Sequence, residues 1–128
     1  MNKLTPGAKY NRKQKGFAAE EAAAQYLSSL GYEIIERNWR CRSGEIDIIA
    51  WERGRLIFVE VRSRSNSTLQ GSPEESVNVR KIQQVRSVAE VYLYMKRQPE
   101  GPLSFDVISV ILNSDLSVAS LNHIKEAF

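Results

Sequence analysis

Residues 44–64 read GEIDIIAWERGRLIFVEVRSR. Two apolar runs, Glu45–Trp51 and Arg55–Arg62, flank Arg53-Gly54, so the stretch predicts two strands joined by a tight turn. Strand side chains alternate between faces. On that rule Glu45 and Asp47 share one face, and Ile46, Ile48 and Ala50 take the other. In the next run Glu60 and Arg62 share a face with Leu56 and Phe58, opposite Ile57, Val59 and Val61. Pairing of the two strands brings Asp47 and Glu60 close together. Neighbouring carboxylates repel unless a proton or a cation lies between them. Mg²⁺, a hard cation that prefers oxygen ligands, suits such a pair.

The rest of the chain extends this pattern on both sides. Upstream, Tyr32–Cys41 reads as another strand, and Ser43-Gly44 as the turn that follows it. Before it, Gln14–Leu30 has helical periodicity, with Phe17, Ala19, Ala23, Tyr26, Leu27 and Leu30 as the apolar stripe and Gly31 suited to a left-handed C-terminal cap. Glu20 falls inside that stripe, at offsets of three, four and seven from Ala23, Ala24 and Leu27, whereas Glu21 falls on the wet face. A carboxylate on a buried face is costly unless paired or metal-bound. Glu20 therefore reaches toward the sheet or pairs with an arginine. Downstream, Ser72-Pro73-Glu74-Glu75 carries a capping-box pattern, and Asn78 offers a second cap. The main second helix runs to about Arg97, with Ile82, Val85, Ala89 and Tyr92 at helical spacing. Leu103–Leu112 and Val118–Ile124 read as further strands. The order α-β-β-β-α-β-(β) predicts an α/β fold, a mixed sheet flanked by helices.

The chain has 128 residues, which favours a single domain with its own core. Residues 1–13 read as a flexible basic arm and 14–128 as the folded domain. No apolar run is long enough to span a membrane, and the basic N-terminus lacks the apolar core of a secretory signal, so a cytoplasmic protein is expected. One cysteine, Cys41, and one histidine, His123, leave no material for a disulfide, a thiolate cluster or a His-rich metal site. Any chemistry falls to carboxylates and basic residues. The formal net charge is +3 and the pI about 9.1. Basic residues cluster at Lys3–Lys15, Arg37–Arg42, Arg53–Arg64 and Arg80–Arg86, as phosphate backbones attract, although a solvated surface has the same composition.

An acid on one strand followed by acid-x-basic on the next (Asp47, then Glu60-Val61-Arg62) has the form of a nuclease signature; the same pattern also marks plain surface ion pairs. With GEIDIIA (44–50), LIFVEVRSR (56–64), NWRCR (38–42) and FDVI (105–108), the chain resembles the bacterial YraN-like proteins from about Gly16 to Phe128. That family is similar in fold to Holliday-junction resolvases of the PD-(D/E)XK nuclease superfamily. The resemblance implies a restriction-endonuclease-like fold and a metal-dependent DNA endonuclease, selective for branched DNA or acting on duplex, working as a homodimer. It assigns the helical acid to Glu20, where Ala19-Glu20 replaces the family's usual Gly-Glu. It assigns the strand acids to Asp47 and Glu60, and the superfamily's lysine to Arg62.

On that resemblance Mg²⁺ or Mn²⁺ would be held by Asp47 and Glu60, with the Val61 carbonyl and Glu20 completing the set. Arg40, Arg42, Arg64, Lys81, Lys13 and Lys15 would contact the phosphate backbone. Arginine at position 62 keeps the positive charge but never acts as a base, because it stays protonated. Two alternatives stay open from sequence: a nucleic-acid-binding protein without catalysis on the same fold, and a protein-interaction domain whose acids form only an ion network.

Overall fold

The computed structural model describes residues 10–66, 78–96 and 101–128. The basic segment 1–9 and the capping sequence at 72–75 lie outside the described residues, as does Arg97. The elements are α1 (Arg12–Ser29), β1 (Glu33–Cys41), β2 (Gly44–Glu52), β3 (Arg55–Ser65), α2 (Val79–Met95), β4 (Leu103–Leu112) and β5 (Val118–Ile124). This is the predicted mixed α/β order. The five strands lie in sequence order in one sheet; β3 and β4 are parallel and the other neighbours antiparallel. A parallel pair needs a crossover, and α2 supplies it.

Helix α1 begins two residues earlier than its periodicity suggested. Asn11 caps it, accepting the Gln14 N–H at 2.7 Å while Gln14 Oε1 accepts the Asn11 N–H at 2.9 Å. Lys13 thus belongs to the first helical turn and not to the arm. The far end closes as expected: Gly31 has φ +93°, its N–H bonds the Ser28 carbonyl, and the Tyr32 N–H bonds the Leu27 carbonyl, both at 3.0 Å. This paired closure needs a left-handed residue, which glycine supplies without strain. The stripe itself is narrower than predicted. Ala19, Ala23, Ala24 and Leu27 are buried, but Phe17 is 63% exposed and Leu30 53%.

The sheet has a core on each face. Against α1 lie Ile48, Ala50, Ile57, Val59, Ile108 and Val110. Against α2 lie Ile46, Ile49, Leu56, Phe58 and Phe105, with Val85, Val88, Ala89 and Tyr92 from the helix. Trp39 and Phe58 meet the Tyr92 ring edge-on, at centroid distances of 5.1 and 5.9 Å. Among the described residues, no helix is long and apolar enough to cross a membrane.

These two cores correct the simple alternation predicted for β2. Ile46 packs on the α2 face, whereas Ile48 and Ala50 pack on the α1 face. The turnover lies between the Arg37↔Ile48 and Trp39↔Ile46 pairs of the β1–β2 ladder. Paired residues share a face, so both strands roll over together at Asn38 and Asp47. Asn38 makes this possible with φ +52°, a left-handed conformation that asparagine tolerates better than most residues.

Candidate active site

The rollover is also where β2 and β3 part. Their ladder ends at Ile48↔Val59, while β1 and β2 stay paired to Cys41↔Gly44 and β3 stays paired with β4 to Ser65↔Leu112. The next step of the register would set Asp47 opposite Glu60. Instead the strands fork, and the Asp47 carboxylate turns sideways into the gap, accepting the Val61 N–H at 2.8 Å. A side chain thus satisfies a donor that the ladder no longer serves.

Glu60 lies between Val59 and Val61, which both pack toward α1, so its side chain projects toward α2. It is 5% exposed. Lys81, in the first turn of α2, brings Nζ to 3.3 Å from Glu60 Oε2, and Arg62 Nε stands 3.8 Å from the same oxygen. Glu20 approaches from α1, on the other side. The three acids therefore flank the fork from both sides of the sheet, near enough to influence one another's charge, and do not lie on one shared face, as simple alternation would require.

Their electrostatics show the crowding. Burial raises the Asp47 pKa to about 8; the Glu60 charge adds to the rise, the Val61 N–H opposes it, and Glu20 and Glu45 push it further up. Glu20 is also raised, chiefly by burial. A hydrogen bond from the Asn38 side chain opposes that rise, and Glu45 and Glu60 reinforce it. Asn38 thus serves the site twice, by rolling β1 over and by holding Glu20. Its only sequence signal is the tolerance of asparagine for left-handed backbone. The arginine that α1 pairs with is Arg37, whose guanidinium bonds Glu21; its charge also reaches Glu20 and works against the push from Glu45 and Glu60.

The predicted phosphate contacts gather at this same end of the sheet. Lys15 Nζ lies 3.3 Å from Ser65 Oγ, tying the start of α1 to the end of β3, where Arg64 also sits. Lys13 is exposed in the first turn of α1. Arg40 pairs with Glu45 at 3.4 Å but stays largely in solvent, and Arg42 is exposed in the β1–β2 turn.

Oxygen donors, partial burial and like charge between neighbouring carboxylates fit a hard divalent cation in kind. Asp47 and Glu60 would be the residues to hold it, with Glu20 on the α1 side. As the side chains stand, Lys81 and Arg62 offset Glu60, and among the described residues no three acidic, histidine or cysteine side chains converge closely enough to chelate an ion.

A second polar cluster, not expected from sequence, lies under the other end of α1. Asp106 and His123 are buried, at 2% and 3% side-chain exposure. His123 Nε2 donates to Asp106 Oδ2 at 2.7 Å, and the Tyr26 hydroxyl lies 3.1 Å from Nδ1. Ser104 Oγ and the Glu126 N–H donate to Asp106 Oδ1 at 2.5 and 3.1 Å. Burial works to raise the Asp106 pKa, but these bonds outweigh it and hold the carboxyl below its ordinary value. His123 is therefore structural, joining α1, β4 and β5.

The model of the Uncharacterised protein family UPF0102, the YraN-like family, matches residues 19–110, which takes in Glu20, Asp47, Glu60 and Lys81. The chain belongs to the UPF0102 family. A UPF0102 protein of Desulforamulus reducens is 48% identical over 118 residues, covering 91% of this chain and 96% of the relative. Another, from Lachnoclostridium phytofermentans, is 44% identical over 119 residues, covering 92% and 95%. Two solved structures overlap this UPF0102 chain more loosely. The EndoMS–dsDNA2 complex gives a TM-score of 0.39 at 12% identity, covering 74% of this chain and 35% of that one. An FdxN element excision controlling factor protein from Anabaena variabilis gives 0.40 at 14%, covering 82% and 98%. At these scores neither overlap bears on what the chain does.

Proposed function

We propose that the protein is a metal-dependent endonuclease that hydrolyses phosphodiesters in DNA, choosing its substrate by shape, with branched DNA favoured. The observation that carries this reading is the fork itself: half-buried Asp47 stands in the gap beside buried Glu60, with its pKa pushed up to about 8. A fold keeps such repulsion where function uses it. Asp47 and Glu60 would hold Mg²⁺ or Mn²⁺, which supplies positive charge at the scissile phosphate and acidifies water. The Val61 N–H fixes one Asp47 oxygen at 2.8 Å, which orients the other toward the gap. Glu20, kept in place by Asn38, completes the acid set. Arg62 adds charge beside Glu60. Lys13, Lys15, Arg40, Arg42 and Arg64 border the same end of the sheet and would follow a phosphate backbone, which positions DNA without reading its bases.

The test is a cleavage panel over duplex, flap, single-stranded and four-way-junction DNA with Mg²⁺ and Mn²⁺. Cutting that requires metal and is lost in Glu60→Ala supports the reading. A non-catalytic DNA-binding role is the competing reading, and one observation favours it: Lys81 and Arg62 already offset Glu60. It predicts salt-dependent retardation of DNA without cutting under any metal.

A further inference from the structure

Among the described residues, the cation closest to Glu60 comes from outside the β2–β3 motif. Lys81 Nζ is 3.3 Å from Glu60 Oε2, nearer than Arg62 Nε at 3.8 Å. Its position is built into the backbone. Asn78 caps α2, its side chain accepting the Lys81 N–H at 2.9 Å. One turn on, Gln84 Nε2 donates to the Ser43 carbonyl at 3.4 Å, tying α2 to the β1–β2 turn. The start of α2 is thus held over the fork, with the Lys81 side chain directed into it.

We infer that Lys81, delivered from α2, supplies the working ammonium of this site, and that Arg62 mainly steadies Glu60 and the DNA strand. The inference rests on the nuclease reading of the same pocket and moves its catalytic cation from β3 to α2. Attack on a phosphodiester builds charge on the non-bridging oxygens. A compact ammonium with three rotatable donors can bond such an oxygen and the attacking water together, whereas a guanidinium fork is fixed in plane. Water oxygen forms the new P–O bond and the bond to the leaving sugar oxygen breaks. The water's proton leaves to solvent, the leaving oxygen gains one, and the products are a phosphate monoester and an alcohol. Lys81 keeps its own proton throughout.

The experiment compares the full-length wild type with K81Q, K81R, R62Q and E60Q. Folding is checked by thermal melting, Mn²⁺ binding by calorimetry, DNA affinity across a salt series, and cutting by single turnover at saturating protein. K81Q is expected to slow cutting of fully bound DNA by about 100-fold, with affinity and salt slope nearly unchanged and Mn²⁺ bound at least as tightly as by wild type. K81R should recover part of the rate, R62Q should lose roughly tenfold or less, and E60Q should lose both cutting and Mn²⁺. A normal K81Q rate on saturated DNA, with weaker affinity and a salt slope reduced by about one, makes Lys81 a backbone contact and overturns the inference alone. Absence of cutting by the wild type with every metal overturns the nuclease reading and this inference with it. Should K81Q fail to fold, Lys81→Met keeps the aliphatic stem and is judged by the same criteria.

Discussion

Replacing Asp47 with asparagine should make the protein more stable while removing a ligand of the proposed metal site. Asparagine keeps an oxygen to accept the Val61 N–H, now at 2.8 Å from Asp47, but carries no charge toward Glu60. The folded-state pKa of Asp47 is about 8, against 3.8 for the unfolded chain. The folded protein therefore binds this proton more tightly than the unfolded chain. Stability falls as pH rises from 3.8 to about 8, and the full cost remains above that. At about 1.4 kcal/mol for each of roughly four pH units, the ceiling is ~6 kcal/mol. That would consume much of the 5–15 kcal/mol available to a small domain. Relaxation of the partly open fork and water entry reduce it, and about 3 kcal/mol is the expected gain for Asp47→Asn at pH 9. Urea denaturation of both proteins at pH 5, 7 and 9 measures it. The gain should grow with pH, and Mn²⁺ should stabilise the wild type but not the variant, because on the proposed function only the former would bind it in the folded state. An Asp47→Asn protein no more stable than wild type at pH 9, or a gain that does not vary with pH, would refute the account of a half-buried, repelled carboxylate.

Other substitutions test the remaining parts. Asp106→Asn should cost about 3 kcal/mol by leaving His123 without its charged partner; because the Asp106 pKa lies below 3.8 in the fold, its contribution is present above that pH and lost as pH falls through the folded value, which acid titration of both proteins checks. Asn38→Ala should cost about 1 kcal/mol through left-handed strain, whereas Asn38→Gly should spare the backbone yet still slow cutting through loss of the Glu20 contact, a difference read by comparing melting with cleavage rate. Gly31→Ala, at φ +93°, should cost about 1 kcal/mol in urea denaturation and leave DNA cutting unchanged.

Much of the architecture was legible along the chain because it is coded by local rules. Period-two runs bounded by Ser43-Gly44 and Arg53-Gly54, a glycine closing α1, an asparagine opening α2 and the limits of β4 and β5 all depend on residues a few positions apart. The acids that flank the fork stood out too, since Glu20 interrupts an apolar stripe and Asp47 and Glu60 interrupt apolar strands. Their geometry was not. Alternation assumes an unbroken pleat, and it fails where Asn38 rolls β1 and β2 over, so Asp47 points along the sheet and not out of it.

Nor does local pattern join Lys81 to Glu60, 21 positions away, or Tyr26 to His123 across 97 residues. Those partners are chosen by which faces the two helices cover, a free-energy balance of packing over the whole sheet. Residue types thus specify that acids and cations must find one another. Long-range packing selects which of them do, because the cost of burying a charge depends on everything brought around it.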